Sequence, residues 1–265
     1  MSQSQELIEA LVRLARKADQ AILEIYQTDF DVEDKSDNSP LTRADMASHR
    51  TIVDGLQRLT PDIPVMSEES TAIDPRERLS WQRYWLVDPL DGTREFIKRN
   101  GEFTVNIALI EQGRPVLGVV TVPAQGLAYH GSAEGGAWRR RDQAAPEPIQ
   151  VRQLGKGPKV AVASRSHKTP ELQQYLDGMG EHEVRSIGSS LKFCLVAEGE
   201  ADIYPRFGPT SEWDTAAAQA IVEAAGGHVV DVSGETLRYN RGESVLNPSF
   251  LVYGDDNHDW TAYAP

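Results

Sequence analysis

Cysteine is almost missing from this 265-residue chain, with Cys194 alone, which excludes an internal disulfide. Its apolar neighbours read as those of a buried thiol. Long apolar runs are missing too: nothing approaches the roughly 18 residues of a membrane-spanning helix, and the polar stretch Met1 to Glu6 carries no signal-peptide pattern. The cytoplasm is the expected compartment, with peripheral association at the inner face of the cell membrane left open. Positive charge is scarce. Against 40 Asp and Glu stand 27 Lys and Arg, a formal charge of -13, which argues against a nucleic-acid partner. The basic triplet Arg139-Arg140-Arg141 reads as a solvated loop. Repeats, heptads and low-complexity tracts are absent. An anionic substrate would need local cations, from metal ions or a few basic side chains, because the nearest charges set the field at a site.

What is present follows two rhythms. Leu7, Ile8, Leu11, Leu14, Ala15, Ala18, Ile22 and Ile25 recur at helical spacing, predicting an amphipathic helix over the first 27 or so residues. A second helix is expected from Ile52, Val53, Leu56 and Leu59, with Thr42 as N-cap and Asp45 in its first turn. Strands are expected at Val65-Met66, Tyr84 to Val87, Phe103 to Ile110 and Val116 to Val122, the last two joined by Gln112-Gly113-Arg114-Pro115, then at Ala128 to Ser132 and near Ala137-Trp138. Residues 142–158, rich in proline and glycine, read as a boundary. Beyond them, strands (Val160 to Ala163, Glu183 to Ser186, Asp202 to Tyr204, His228 to Val232) alternate with helices (Pro170 to Met179, Ser190 to Glu198, Thr215 to Ala225). The expected fold is α+β / α/β, with a mostly antiparallel sheet in an N-terminal domain, 1–155, and an α/β C-terminal domain, 156–265.

Acidic residues collect where apolar runs stop. Tyr84-Trp85-Leu86-Val87 ends in Asp88-Pro89-Leu90-Asp91-Gly92-Thr93, a buried strand delivering two carboxylates to its tip. Val65-Met66 ends in Ser67-Glu68-Glu69-Ser70, and Asp214 precedes a helix of small alanines. Each alone reads as a turn or a helix cap. Together, Asp45, Glu68, Asp88, Asp91 and Asp214 are carboxylates on different elements with no convergent His or Cys, a donor set suited to magnesium rather than zinc.

The set Glu68-Glu69-Ser70, Trp85 to Thr93 and Trp213-Asp214 with Gly226-Gly227 downstream resembles the lithium-sensitive, magnesium-dependent phosphatases related to inositol monophosphatase. Ser164-Arg165-Ser166-His167, Gly188 to Gly199 and Tyr204 to Thr210 are similar to the bacterial 3'(2'),5'-bisphosphate nucleotidases of that superfamily. The resemblance implies a layered αβαβα sandwich and hydrolysis of adenosine 3',5'-bisphosphate to AMP in sulfur assimilation, with the phosphosulfate nucleotide as a further substrate. It implies two or three Mg2+ per site, held by Glu68, Asp88, the Leu90 carbonyl, Asp91 and Asp214. Glu68, Thr93 and Asp45 would be catalytic, with Asp45 bonded to Thr93. Glu68, Leu90, Asp91, Gly92, Thr93 and Asp214 would contact the attacked phosphate, the amides of Gly92 and Thr93 opening a helix. Ser164, Ser166, His167, Ser190, Lys192 and Arg206 would contact the rest of the nucleotide. An inositol monophosphatase or sugar bisphosphatase is the second reading, and a non-catalytic nucleotide or metal sensor the third.

Overall fold

A computed structural model describes residues 3–29, 32–34, 40–70, 73–165 and 169–265. The first half runs α1 (Gln3–Tyr26), β1 (Val32–Asp34), β2 (Pro40–Thr42), α2 (Arg43–Leu59), β3 (Val65–Ser67), α3 (Pro75–Ser80), β4 (Arg83–Asp91), α4 (Thr93–Ile97), β5 (Thr104–Glu111), β6 (Arg114–Val122), β7 (Leu127–Ser132), β8 (Gly136–Arg141) and β9 (Glu147–Pro148). The second runs β10 (Lys159–Ser164), α5 (Pro170–Gly178), β11 (His182–Ile187), α6 (Leu191–Ala197), β12 (Ile203–Arg206), α7 (Glu212–Ala224), β13 (His228–Asp231) and β14 (Phe250–Tyr253).

Among the described residues, β3 to β9 form one sheet in sequence order, antiparallel except for β3 beside β4, and a second sheet runs β11-β10-β12-β14-β13. Ile8, Leu11, Ala15, Ala18 and Ile22 of α1 are buried with Ile52 and Leu56 of α2 against Trp85, Val87, Ile107 and Val119 on one face of the first sheet. The other face, through Leu86, Ala108 and Val120, shares a core with α6, α7 and Val160 and Val162 of the second sheet. Ala161 and Ala163 point the opposite way, onto α5 and Trp260. Alternation along β10 thus puts successive residues into different cores. The layers are α1/α2, sheet, α6/α7, sheet, α5: an αβαβα sandwich.

Contact between α7 and the first sheet explains two glycines. A Cβ on Gly118 would lie 2.0 Å from the Ala217 carbonyl oxygen, and one on Gly131 would lie 2.8 Å from Ile221 Cα. The alanine-rich helix therefore lies backbone-close on β6 and β7, which fixes where its first turn, with Asp214, comes to rest.

Several expectations need correction. The β5–β6 connection is the two residues Gln112 and Gly113, both at positive φ (49° and 73°), so β6 starts at Arg114 rather than Val116. Arg139-Arg140-Arg141 belongs to β8: Arg139 pairs with Glu147 and Glu198, and Arg140 with Glu9. The strand β14, unforeseen between Pro248 and Gly254, enters antiparallel between β12 and β13 and interrupts the expected alternation. No helix among the described residues is long and apolar enough to cross a membrane.

Candidate active site

The acidic tip of β4 depends on a break in the strand. Side chains three apart on a regular strand face opposite sides of the sheet, but the β4–β5 register shifts between Asp88 and Asp91. Such an irregularity re-aims side chains. Ser48 on α2 donates to the Pro89 carbonyl at 2.7 Å, pinning the break. Within it, the Leu90 amide donates to Asp88 Oδ1 at 3.0 Å. Oxygens of Asp88, Asp91 and Asp214 all lie within 4.8 Å of one another. Glu68 stands beside this group at the end of β3, the neighbour of β4, its amide donating to Val87 O at 3.0 Å and its charge acting on Asp88 and Asp214.

This arrangement opposes ionisation. Burial, then Glu68, Asp91 and Asp214, push the Asp88 carboxyl well above its ordinary range. Burial, then Asp91, push Asp214 up to about 8. Converging hard oxygens whose charges repel are relieved by a divalent cation, so the residues fit one. Among the described residues no other group of three or more potential ligands has this geometry.

Asp214 and Asp45 occupy equivalent places on their helices. Asp214 is three residues beyond the N-cap Ser211, whose amide donates to Asp214 Oδ2 at 2.9 Å, so it is not itself the N-cap. Thr42 caps α2, and its amide and hydroxyl both donate to Asp45 Oδ2, at 2.8 and 2.6 Å. The other oxygen, Asp45 Oδ1, accepts from the Thr93 hydroxyl at 3.2 Å. Capping fixes the carboxylate that holds Thr93, and the plain and the functional readings of Asp45 describe one arrangement. Gly92 precedes α4 with φ 89°. Because α4 has only five residues, the amides of Gly92 and Thr93 matter more than its small dipole.

A cavity of about 260 Å³ brings together Glu68, Asp91, Gly92, Thr93, Ser164, Ser190, Lys192, Arg206 and Asp214. Lys192 and Arg206 are buried, at 4% and 8% exposure, and are not surface charges. Lys192 Nζ donates to Ser189 O at 2.6 Å and stands 5.2 Å from the centre of the Tyr204 ring; burial lowers its pKa to about 8. Arg206 donates to the carbonyls of Gly208 and Pro209. Ser190, predicted as a nucleotide contact, already holds the Asp91 carboxylate and the backbone of Asp214. Its amide donates to Asp91 Oδ2 at 2.6 Å, and its hydroxyl lies 2.9 Å from that oxygen and 2.7 Å from Asp214 O. Ser166 and His167 lie outside the described residues.

Residues the sequence reading passed over support the cluster. Asn106 donates to Ser190 Oγ at 2.9 Å, and Thr104 to Asp91 Oδ2 at 3.4 Å. Both are polar side chains fully buried in a strand whose other buried residues are apolar, and that contrast was the available signal. Glu95 lines the cavity as well.

Comparison with known proteins follows the same lines. The inositol monophosphatase family model matches residues 3–262. The 3'(2'),5'-bisphosphate nucleotidase CysQ of Salmonella typhimurium is 57% identical over 93% of this chain and 99% of its own, and that of Escherichia coli K12 is 55% identical over the same shares. The crystal structure of CysQ from Bacteroides thetaiotaomicron, described as a bacterial member of the inositol monophosphatase family, superposes with a TM-score of 0.83 at 44% identity, covering 94% of this chain and 97% of that one. With its fold, its acidic cluster and these relatives agreeing over nearly its whole length, the chain belongs to the inositol monophosphatase family.

Proposed function

We propose that the protein is a magnesium-dependent phosphomonoester hydrolase that converts adenosine 3',5'-bisphosphate to AMP and phosphate, within sulfur assimilation. The observation that carries this reading is the meeting of Asp88, Asp91 and Asp214 with a cavity that also has Lys192 and Arg206 in its wall. A bisphosphate needs both: a place for cations at the attacked phosphate and fixed positive charge for the remote one. The similarity to 3'(2'),5'-bisphosphate nucleotidases at 55–57% identity supports this substrate over inositol phosphates. In this reading residues 1–155 supply most cation ligands, and residues 156–265 supply Asp214 and the nucleotide contacts.

Glu68, Asp88, the Leu90 carbonyl, Asp91 and Asp214 would hold two or three Mg2+. Bound there, the cations would neutralise the attacked phosphate and lower the pKa of water. The protein's own part is orientation. Because the Thr93 hydroxyl donates to Asp45, its lone pairs remain available to accept a hydrogen bond from the attacking water. Glu68 provides the carboxylate that takes up the proton. The Gly92 and Thr93 amides suit the phosphate oxygens.

Turnover of adenosine 3',5'-bisphosphate and of inositol 1-phosphate, measured side by side with saturating magnesium, tests the reading. The nucleotide should be the better substrate by kcat/KM. Equal or greater turnover of the inositol phosphate would assign the protein to the second reading, and tight nucleotide binding without phosphate release would make it a sensor.

A further inference from the structure

Ser190 can hold Asp91 and Asp214 only if the chain before it follows one path, and that path is strained. Ser189 has φ 49°, in the left-handed region that residues other than glycine rarely enter, and its buried hydroxyl has no hydrogen-bond partner among the described residues. Such a conformation persists where its surroundings over-determine it. Lys192 and Asp91 supply two of the restraints, by bonding Ser189 O and Ser190 N. The third comes from across the molecule. Glu102, in the segment between α4 and β5, accepts the Gly188 amide on Oε2 at 2.9 Å and pairs with Arg165 through Oε1 at 2.6 Å. Arg165 donates also to Ser186 O at 2.9 Å. The approach is close enough to require glycine: a Cβ on Gly188 would lie 2.8 Å from the Glu102 carbonyl oxygen and 2.6 Å from Glu95 Cγ.

We infer that Glu102 is a positioning residue for the proposed hydrolysis, clasping the Gly188–Ser190 turn so that Ser190 presents its amide and hydroxyl to the Asp91 carboxylate and its hydroxyl to the Asp214 backbone carbonyl. The inference rests on the reading of this site as a phosphomonoester hydrolase. Glu102 is half-buried and is not among the residues that line the cavity, so it acts through the turn and not on substrate. Loss of the clasp leaves the Gly188 amide without its acceptor and frees the turn to leave its left-handed conformation. The Asp91 carboxylate then loses a fixed partner, and the backbone at Asp214 loses its tie to Ser190.

Hydrogen exchange on the cation-free protein, with steady-state kinetics on the bisphosphate, separates this from a general structural role. In Glu102→Ala, amides of residues 186–191 should exchange about tenfold faster while the rest of the chain keeps its protection. KM should rise about tenfold with kcat within about threefold of wild type. Glu102→Gln, whose amide oxygen can still accept from Gly188, should recover most of both. Wild-type exchange and KM in Glu102→Ala would overturn the inference, and so would faster exchange spread evenly over the chain. If the wild-type protein released no phosphate, the parent reading would fail while the exchange pattern still decided the role of Glu102.

Discussion

Replacing Asp214 with Asn should stabilise the cation-free protein and weaken its response to divalent cation. Burial, then the nearby carboxylates of Asp91 and Glu68, hold the Asp214 carboxyl at about 8 against an ordinary 3.8. An acid whose pKa is raised on folding opposes folding where the unfolded chain would ionise it and the native protein keeps it protonated. The destabilisation is absent below 3.8, grows as pH rises, and is complete near 8. At pH 7 the interval spans about three pH units at about 1.4 kcal/mol each, an upper figure of about 4 kcal/mol. Asp214 borders the cavity and is only half-buried, so solvent screening reduces this to about 2 kcal/mol. For a chain of this size that raises Tm by about 4 °C. Asparagine keeps the shape and can still accept from the Ser211 amide, so the start of α7 survives. Scanning calorimetry of both proteins in EDTA between pH 5 and 8 checks this, and the gap should narrow toward pH 5. Magnesium should then raise the wild-type Tm more than the variant's. A variant less stable than wild type at pH 7 in EDTA would refute the claim that burial and the neighbouring carboxylates oppose ionisation of Asp214 in the native protein.

Three further outcomes are expected. Asp91→Asn should lower turnover at least about 100-fold at saturating magnesium, with circular dichroism close to wild type, since it removes charge at nearly constant shape; near-wild-type turnover would count against the site. Cys194 is fully buried, and burial pushes its thiol well above the usual range, so iodoacetamide should leave it unmodified in the native protein and label it fully in denaturant, as read by mass spectrometry. Gly118→Ala places a Cβ 2.0 Å from the Ala217 carbonyl oxygen and should cost about 1–3 kcal/mol in denaturant unfolding. It should also lower magnesium affinity, because α7 carries Asp214; unchanged stability would mean that the helix does not rest on β6 as described.

The acidic stations were legible because each is marked locally. An apolar run that stops in carboxylates, as at Val87-Asp88 or Met66-Ser67-Glu68, signals a strand end from its immediate neighbours, and a capping pattern such as Thr42 with Asp45 spans four residues. Features decided by partners distant in sequence were not legible. The run Phe250-Leu251-Val252-Tyr253, bounded by Pro248 and Gly254, is as strand-like as any other in the chain. Nothing within it says that it will separate β12 from β13, since that order is set by pairing with residues 203–206 and 228–231. The arginine triplet was misread for the same reason. Its charges looked solvated until β8 carried Arg139 to Glu198, 59 positions away, and Arg140 to Glu9, 131 positions away. The supports of the site lie at this longer range. Asp91 could be identified from its neighbours, but the amide it accepts from belongs to Ser190, 99 positions on, and that turn is clasped by Glu102, 86 positions before Gly188. A carboxylate announces a possible cation ligand wherever it stands. Whether it is held rigidly enough to serve as one depends on hydrogen bonds between layers, and those exist only once the layers have packed.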